Sequence, residues 1–464
     1  MDRKKFTGII ICVLFLTVFF ALFSEGQAQS KKPVGQAKKL SEQGDRFFGQ
    51  KDYRNAVNKY AEATAISPNF PYAHFWKGYA HYYLNEHDQA VKDLDKALEQ
   101  GYKPVLELYK TRGYSNYQLK NYDAALKDVR QVLEAEPTNV SFYSLLGNIY
   151  YAQGSYQDSI NAYKKVLELE LNNADVNYFM ALSYAGLGDY AQQGLSAAEA
   201  IKKNTKFVGE SYYLTADAFR RTKKLDEAIE AYERAINVKP ELYEVYNRLA
   251  DIYRNENRLD EAIATAKKGL TSYPNDGNLY LNISRYYSLA DRHAEAIGAA
   301  KQAIQFLPNE YKAYTNLCRA YNDLKLYQPA IEACLKALQL NPADGETNFY
   351  LARAYDLTNR RDTATLQYKK AVDGLVDYTN KNPEYSDGYY LLGNAYVGAE
   401  QRDKAIEAYK KSLALSPKFA KARYNLGYMY FLTNDMKSAL EQYNALLQID
   451  ADLAAKLKQA MEKK

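Results

Sequence analysis

The chain is predicted to be all-α, built as an array of antiparallel helix hairpins, and three observations carry that expectation. One phrase returns along the sequence: LDEAIEAYERAINVKP at 225–240, LDEAIATAKKGLTSYP at 259–274, HAEAIGAAKQAIQFLP at 293–308 and YQPAIEACLKALQLNP at 327–342. Within each copy, apolar residues recur at helical spacing, and short runs such as GD, NR and DR interrupt them where a tight turn belongs. The composition, 47% hydrophobic and 25% charged, suits a packed core. A formal charge of +5 on 464 residues is too small to mark a nucleic-acid binder.

The first element reads as a leader. DRKK supplies a positive start, Gly8 to Phe23 form a 16-residue apolar run, and Gly26 and Ala28 are small residues placed for a cut after Ala28. The run is shorter than the roughly 20 residues that span a bilayer core, so residues 1–28 are expected to be a cleaved signal peptide. The alternative is a retained anchor through residues 9–23. Either way the chain is expected to be exported, periplasmic or secreted, or else tethered to the inner membrane. Residues 29–36 are expected to be a linker.

From residue 37 the repeat takes over. With a 34-residue unit numbered so that its proline falls at slot 32, seven prolines share that slot: Pro68, Pro137, Pro240, Pro274, Pro308, Pro342 and Pro417. Proline there ends the second helix, because it has no N–H to donate. Slot 8 holds a small residue in every unit, from Gly44 and Gly78 to Gly393 and Gly427, and slot 20 is alanine or serine except at Gln193. Small residues at both slots are what two helices joined by a short turn need, since larger ones would push the axes apart at about 1–3 kcal/mol each. Bulky residues at slots 4, 11 and 24 fill the space between successive pairs.

This pattern resembles the tetratricopeptide repeat, with about twelve units at 37–70, 71–104, 106–139, 140–173, 174–207, 209–242, 243–276, 277–310, 311–344, 345–385, 386–419 and 420–453. The resemblance implies a right-handed α-α superhelix whose first helices line a concave groove for protein or peptide partners. Units 1–4 (37–173) and 6–12 (209–453) are regular. Unit 5 (174–207) is irregular, with Gln193 at slot 20, Ala197 at slot 24 and Thr205 in place of proline, and is expected to be the softest seam. Unit 10 is seven residues longer, about two helical turns, so its second helix is expected to lengthen without loss of phase. Residues 454–464 are expected to form a capping helix, with Asp452 at its start.

Tyrosine is abundant, 46 in all, and packing slots 4, 11, 17 and 24 account for most. The remainder gathers on slots expected to face the groove: Tyr72, Phe75, Tyr79, Tyr82 and Tyr83 of unit 2, with Trp76 beside them, then Tyr114, Tyr117 and Tyr151. Such a strip is either a partner site or a patch shielded by a neighbouring segment. Slot 9 of units 8–10 carries Arg285, Arg319 and Arg353, a file that either grips carboxylates of an extended peptide or pairs with Asp251, Asp323 and Asp356. Lys312, Asn282 and Asn316 match only fragments of the family's clamp for C-terminal carboxylates.

His74, His81, His87 and His293 follow the repeat and not a metal motif, so no metal is expected. Cys318 and Cys334 sit at slots 8 and 24 of one unit, and either a disulfide or two buried thiols fits there. No phosphate loop, nucleophile elbow or other catalytic signature appears, and no cofactor is expected. The sequence therefore points to a non-catalytic envelope scaffold binding protein segments, with no role for nucleic acid. The alternatives are a glycan-binding or polysaccharide-export component, and an anchored chaperone-like factor touching membrane only through residues 9–23.

Overall fold

The computed structural model describes residues 34–462, and the leader expected at 1–28 lies outside them. The described residues are helical throughout, without strands. None of their helices is long and apolar enough to cross a membrane. The chain divides into two compact units between Phe207 and Val208, at the end of the irregular fifth repeat.

In the first unit a helix at 34–49 pairs with Tyr53–Ile66, opening three residues inside the expected linker. The hairpins Pro71–Tyr83 with His87–Glu99, Leu106–Gln118 with Tyr122–Ala135, Val140–Ala152 with Tyr156–Leu169, and Ala174–Leu187 with Tyr190–Lys202 follow. The second unit begins with Val208–Arg221 and Leu225–Val238, then Tyr243–Asn255 with Leu259–Ser272, Gly277–Leu289 with His293–Phe306, and Tyr311–Asp323 with Tyr327–Leu340. Gly345–Asp356 pairs with Arg361–Lys381, Ser386–Gly398 with Arg402–Leu415, and Ala420–Leu432 with Met436–Leu446.

Every hairpin turns the same way. The residue at slot 15 is left-handed in each, for example Lys51 (φ 61°), Asn85 (φ 58°), Gly154 (φ 76°) and Asn434 (φ 62°). The amide that follows reaches back to the slot-11 carbonyl, as Glu86 N does to His81 O at 2.9 Å and Arg258 N to Tyr253 O at 2.8 Å. This is the Schellman closure, and it explains why asparagine, glycine and lysine recur there: the first two enter the left-handed region at little cost. Repeats 2 and 5, which lack the slot-32 proline, end their second helices with the same device at Gly101 and Asn204.

The close helix approach is real, but its main partner is slot 24. A Cβ on Gly44, Gly147 or Gly393 would fall 2.4–2.6 Å from the ring of Tyr60, Tyr163 or Tyr409 of the same repeat. Each of those tyrosines also reaches slot 9 with its hydroxyl: Tyr60 to Asp45 (2.8 Å), Tyr163 to Asn148 (2.6 Å) and Tyr409 to Asn394 (2.7 Å). Slots 8 and 20 also touch through backbone oxygen. Ser159 Oγ donates to Gly147 O at 2.8 Å, and Ser284 Oγ to Ala296 O at 2.9 Å, the same contact with the roles exchanged.

The tenth repeat does lengthen its second helix, which runs 21 residues, where the other hairpins use 11–14 for theirs. The added turns place Gly374 against Gly345, where a Cβ on Gly374 would come within 2.8 Å of the Gly345 backbone. The last helix is Ala451–Glu462, three residues earlier than expected. Its cap is Asp450, whose carboxylate accepts from Leu453 N at 2.9 Å, and not Asp452, which sits in the first turn.

Candidate interaction surfaces

The first unit carries a ribbon of aromatic rings along the first helices of repeats 1–3. Phe48 is its hub, 5.1 Å from Trp76, 5.5 Å from Tyr79 and 5.6 Å from Tyr83. Tyr72 lies 6.1 Å from Trp76 on one side. On the other, Tyr79, Tyr82, Tyr114 and Tyr117 follow at centroid steps of 5.6–6.5 Å. Tyr53 stacks on Tyr83 at 4.7 Å. Such ring pairs contribute about 0.5–1.5 kcal/mol each beyond simple burial, so the ribbon holds its own shape.

It is also open to solvent: Tyr83 is 43% exposed, and Tyr72 and Tyr114 are each 38% exposed. Burial and the Asp45 carboxylate push the Tyr72 phenol up to about 12, and burial raises Tyr79, Tyr82 and Tyr117 as well. The surface therefore offers flat apolar faces edged by hydrogen-bond donors.

Two expected members are placed elsewhere. Phe75 is 3% exposed and stacks at 4.2 Å on Tyr102, in the core between repeats 2 and 3. Slot 5 faces the next repeat, and Tyr102, standing where proline usually does, folds onto it. Tyr151 is exposed, but its ring partner is Tyr156 of its own repeat, at 5.7 Å. The hub Phe48 was missed, although slot 12 obeys the same rule that selects Tyr82.

In the second unit the three arginines are ion-paired within the chain. Arg285 meets Asp387, and Asp387 also accepts from Arg254 Nη1 at 2.7 Å. Arg353 Nη1 donates to Asp323 at 2.7 Å, the pairing that slot arithmetic offered as the alternative to a peptide grip. Arg319 has only Glu346, at 3.4 Å, and Asn316 Oδ1, at 3.2 Å. Around Asp387 the seventh and eighth repeats touch the eleventh and twelfth. Ser416 Oγ donates to Asn255 O at 3.1 Å, Lys418 pairs with Glu256 at 2.5 Å and Lys421 with Asp291 at 2.7 Å. Three cavities border this contact, of about 790, 1040 and 140 Å³, and Arg285 lines the first two.

Tetratricopeptide-repeat family models match residues 178–243, 213–277 and 390–454, a TPR-repeat model matches 44–85, 113–154 and 147–188, and a third matches 71–100 and 311–344. Together they take in more than half of the chain. The repeats are tetratricopeptide repeats.

A curated relative is the small glutamine-rich tetratricopeptide repeat-containing protein 2 of Saccharomyces cerevisiae, 38% identical over 74 residues, or 16% of this chain. The match spans only 20% of that relative's length. Among solved structures, yeast Tom70 aligns over 92% of this chain and 96% of its own at 18% identity, with a TM-score of 0.39. Cut9, from the APC/C hetero-tetramer Cut9-Hcn1, aligns over the same shares at 16% identity and a TM-score of 0.37. MamA aligns over 39% of this chain and 96% of its own at 27% identity, with a TM-score of 0.26.

Tetratricopeptide-repeat proteins serve generally as protein-interaction scaffolds and are typically non-catalytic. Two of the histidines singled out by sequence have partners within the fold. His74 is buried, with Nε2 at 3.0 Å from Pro68 O, and His81 Nδ1 lies 2.7 Å from Glu86. Among the described residues no group of His, Cys, Asp and Glu is arranged to hold a metal ion. Cys318 and Cys334, both fully buried, are joined by a disulfide with a Cα–Cα distance of 5.3 Å. It occupies the slot 8–slot 24 contact that glycine and tyrosine make in other repeats.

Proposed function

We propose that the protein is a non-catalytic scaffold of the cell envelope and that its aromatic ribbon receives an extended or helical segment of a partner protein. The observation that carries this is the unbroken run of ring contacts from Tyr72 to Tyr117 with Tyr72, Tyr83 and Tyr114 left open. Exposed apolar surface of this kind is costly unless covered, and tyrosine and tryptophan are the side chains that anchor interfaces most often. The apolar run at Gly8–Phe23 and the Cys318–Cys334 disulfide favour an oxidising compartment outside the cytoplasm.

A photo-crosslinking residue placed at Tyr83 or Tyr114 in producing cells tests it. The expected outcome is one discrete protein adduct at both positions and none at Lys127, an exposed residue on a second helix. The adduct should vanish when Trp76 and Tyr79 are replaced by alanine. No adduct, or the same adducts from Lys127, removes the proposal. Binding of neutral oligosaccharides that disappears with Tyr83→Ala and Tyr114→Ala would move it to the glycan alternative.

A further inference from the structure

The cavity of about 790 Å³ in the second unit gathers charged side chains of both signs, a feature apart from the ribbon. Its wall includes Arg285, Arg319 and Arg353, brought side by side from consecutive repeats. Most acids on that wall are already engaged: Asp387 by Arg285 and Arg254, Asp323 by Arg353, Asp291 by Lys421. Asp356 and Glu400 are exposed.

Arg319 is the most loosely paired of the three. Its side chain is 7% exposed, yet the nearest acid is 3.4 Å away, and its Nε, like that of Arg285, is buried without a hydrogen-bond partner. Burial favours loss of its charge, but Tyr350 and Glu346 outweigh that, so the guanidinium remains charged. The first unit shows how this chain settles an arginine whose role is structural. Arg112 takes Asp128 through Nε at 2.9 Å and Nη2 at 2.7 Å, and Asp95 through Nη1 at 2.7 Å. A buried charge held to its acid at 3.4 Å is less fully compensated than Arg112, and its free Nε leaves room for a further anion.

We propose that this cavity binds a small oxyanion on Arg319, with Arg285 and Arg353 on either side. Guanidinium forks match the planar edge of a carboxylate or the oxygens of a phosphate, and a volume of about 790 Å³ is that of a small-molecule site. The ring of Tyr350, 5.8 Å from the Arg319 guanidinium, helps to fix the fork. The site stands in the second unit and is independent of the ribbon.

The test is calorimetric titration and thermal unfolding of the purified full chain with succinate, citrate, phosphate and sulfate, each at one ionic strength set with sodium chloride. Expected is saturable one-site binding of at least one of them, with a rise in the unfolding midpoint. Carboxylates alone would identify an organic acid, phosphate alone a phosphorylated ligand, and both outcomes support the site. Arg319→Lys should weaken binding by about tenfold or more and Arg353→Gln several-fold, since each removes bidentate contact. Tyr114→Ala, on the ribbon, should leave it unchanged. Absence of binding below roughly 10 mM overturns the proposal. So does binding indifferent to both arginine variants. If Arg319→Lys does not fold, the wild-type titration and Arg353→Gln decide between the same two results.

Discussion

Arg254 and Asp387 stand 133 positions apart in the chain, and their side chains meet at 2.7 Å. Asp387 is 4% exposed and is shared with Arg285, while the ring of Tyr385 lies 5.7 Å from one guanidinium and 5.0 Å from the other. A single buried carboxylate thus holds two arginines of repeats 7 and 8 against the start of repeat 11. Burial alone would raise the Asp387 pKa, but Arg254 and Arg285 outweigh it and keep the carboxyl below its ordinary range.

Replacing Asp387 with alanine leaves two largely buried guanidiniums without their acid. Losing one partner of a buried pair costs about 3–5 kcal/mol, so Asp387→Ala should lower the stability of the second unit by that order. Denaturant unfolding followed by a probe in repeats 7–11 measures it. A change below about 1 kcal/mol would mean that the contact resembles an exposed surface pair instead. The pH dependence has a definite sign. Because the folded pKa is depressed, the contribution of Asp387 is complete above its unfolded value near 4, and is lost as pH falls through the folded one.

Asp344 behaves in the opposite sense. Burial, with the neighbouring Glu346 charge, pushes its carboxyl up to about 6. The native state therefore takes up a proton that the unfolded chain releases, and stability attributable to this group falls as pH rises from about 4 through about 6. Asp344 is also the cap of helix Gly345–Asp356, accepting from Thr347 N at 2.8 Å, a role that asparagine retains. Asp344→Asn should raise stability at pH 7 by roughly 1–2 kcal/mol and flatten the profile between pH 4 and 6. Equal stability of the two proteins at pH 7 would refute this.

The hairpins were legible in the sequence because each slot meets its partner within one unit. The slot-8 glycines announced a close approach, although the neighbour that needs the room is the slot-24 tyrosine and not the slot-20 alanine. That ring was readable too: Gly44 with Tyr60, Gly147 with Tyr163 and Gly393 with Tyr409 each add Asp or Asn at slot 9, where the tyrosine hydroxyl ends. The Arg254–Asp387–Arg285 contact was not readable. It joins repeats more than a hundred residues apart, and no period in the sequence encodes a meeting that depends on accumulated rotation between hairpins. Phe75 was misassigned for a related reason. A slot number gives a direction on the helix, whereas its burial depends on Tyr102 in the following loop.

Two glycines in second-unit helices should respond oppositely to alanine. Gly298 is exposed, with nothing within 4 Å of a Cβ, so Gly298→Ala gains only the helical preference, about 0.5–1 kcal/mol. At Gly393 the new Cβ would sit 2.4 Å from Tyr409 Cε1, and that ring is 1% exposed with its hydroxyl tied to Asn394. Overpacking of about 1–3 kcal/mol should exceed the same helical gain, leaving Gly393→Ala net destabilising. Thermal midpoints of the two variants check the pair. A gain in both would mean that Tyr409 yields freely.

The disulfide gives the last comparison, because it places a covalent bond where other repeats rely on packing. Cys318 and Cys334 are 16 positions apart, and closing a loop of that length restricts the unfolded chain by about 3 kcal/mol. Both positions are fully buried beside alanines at slot 20 and in the next repeat, so a reduced pair still fits as two small apolar side chains. Reduction should therefore lower the unfolding midpoint of the second unit without abolishing its fold, and leave the first unit, which lacks a disulfide among its described residues, unmoved. Cys318→Ala with Cys334→Ala should reproduce the reduced protein and lose all sensitivity to reductant. Alkylation under denaturing conditions counts the thiols directly. If Cys318 and Cys334 are alkylated before any reductant is added, in protein made in an oxidising compartment, the pair is not bridged and the stabilisation must vanish with it.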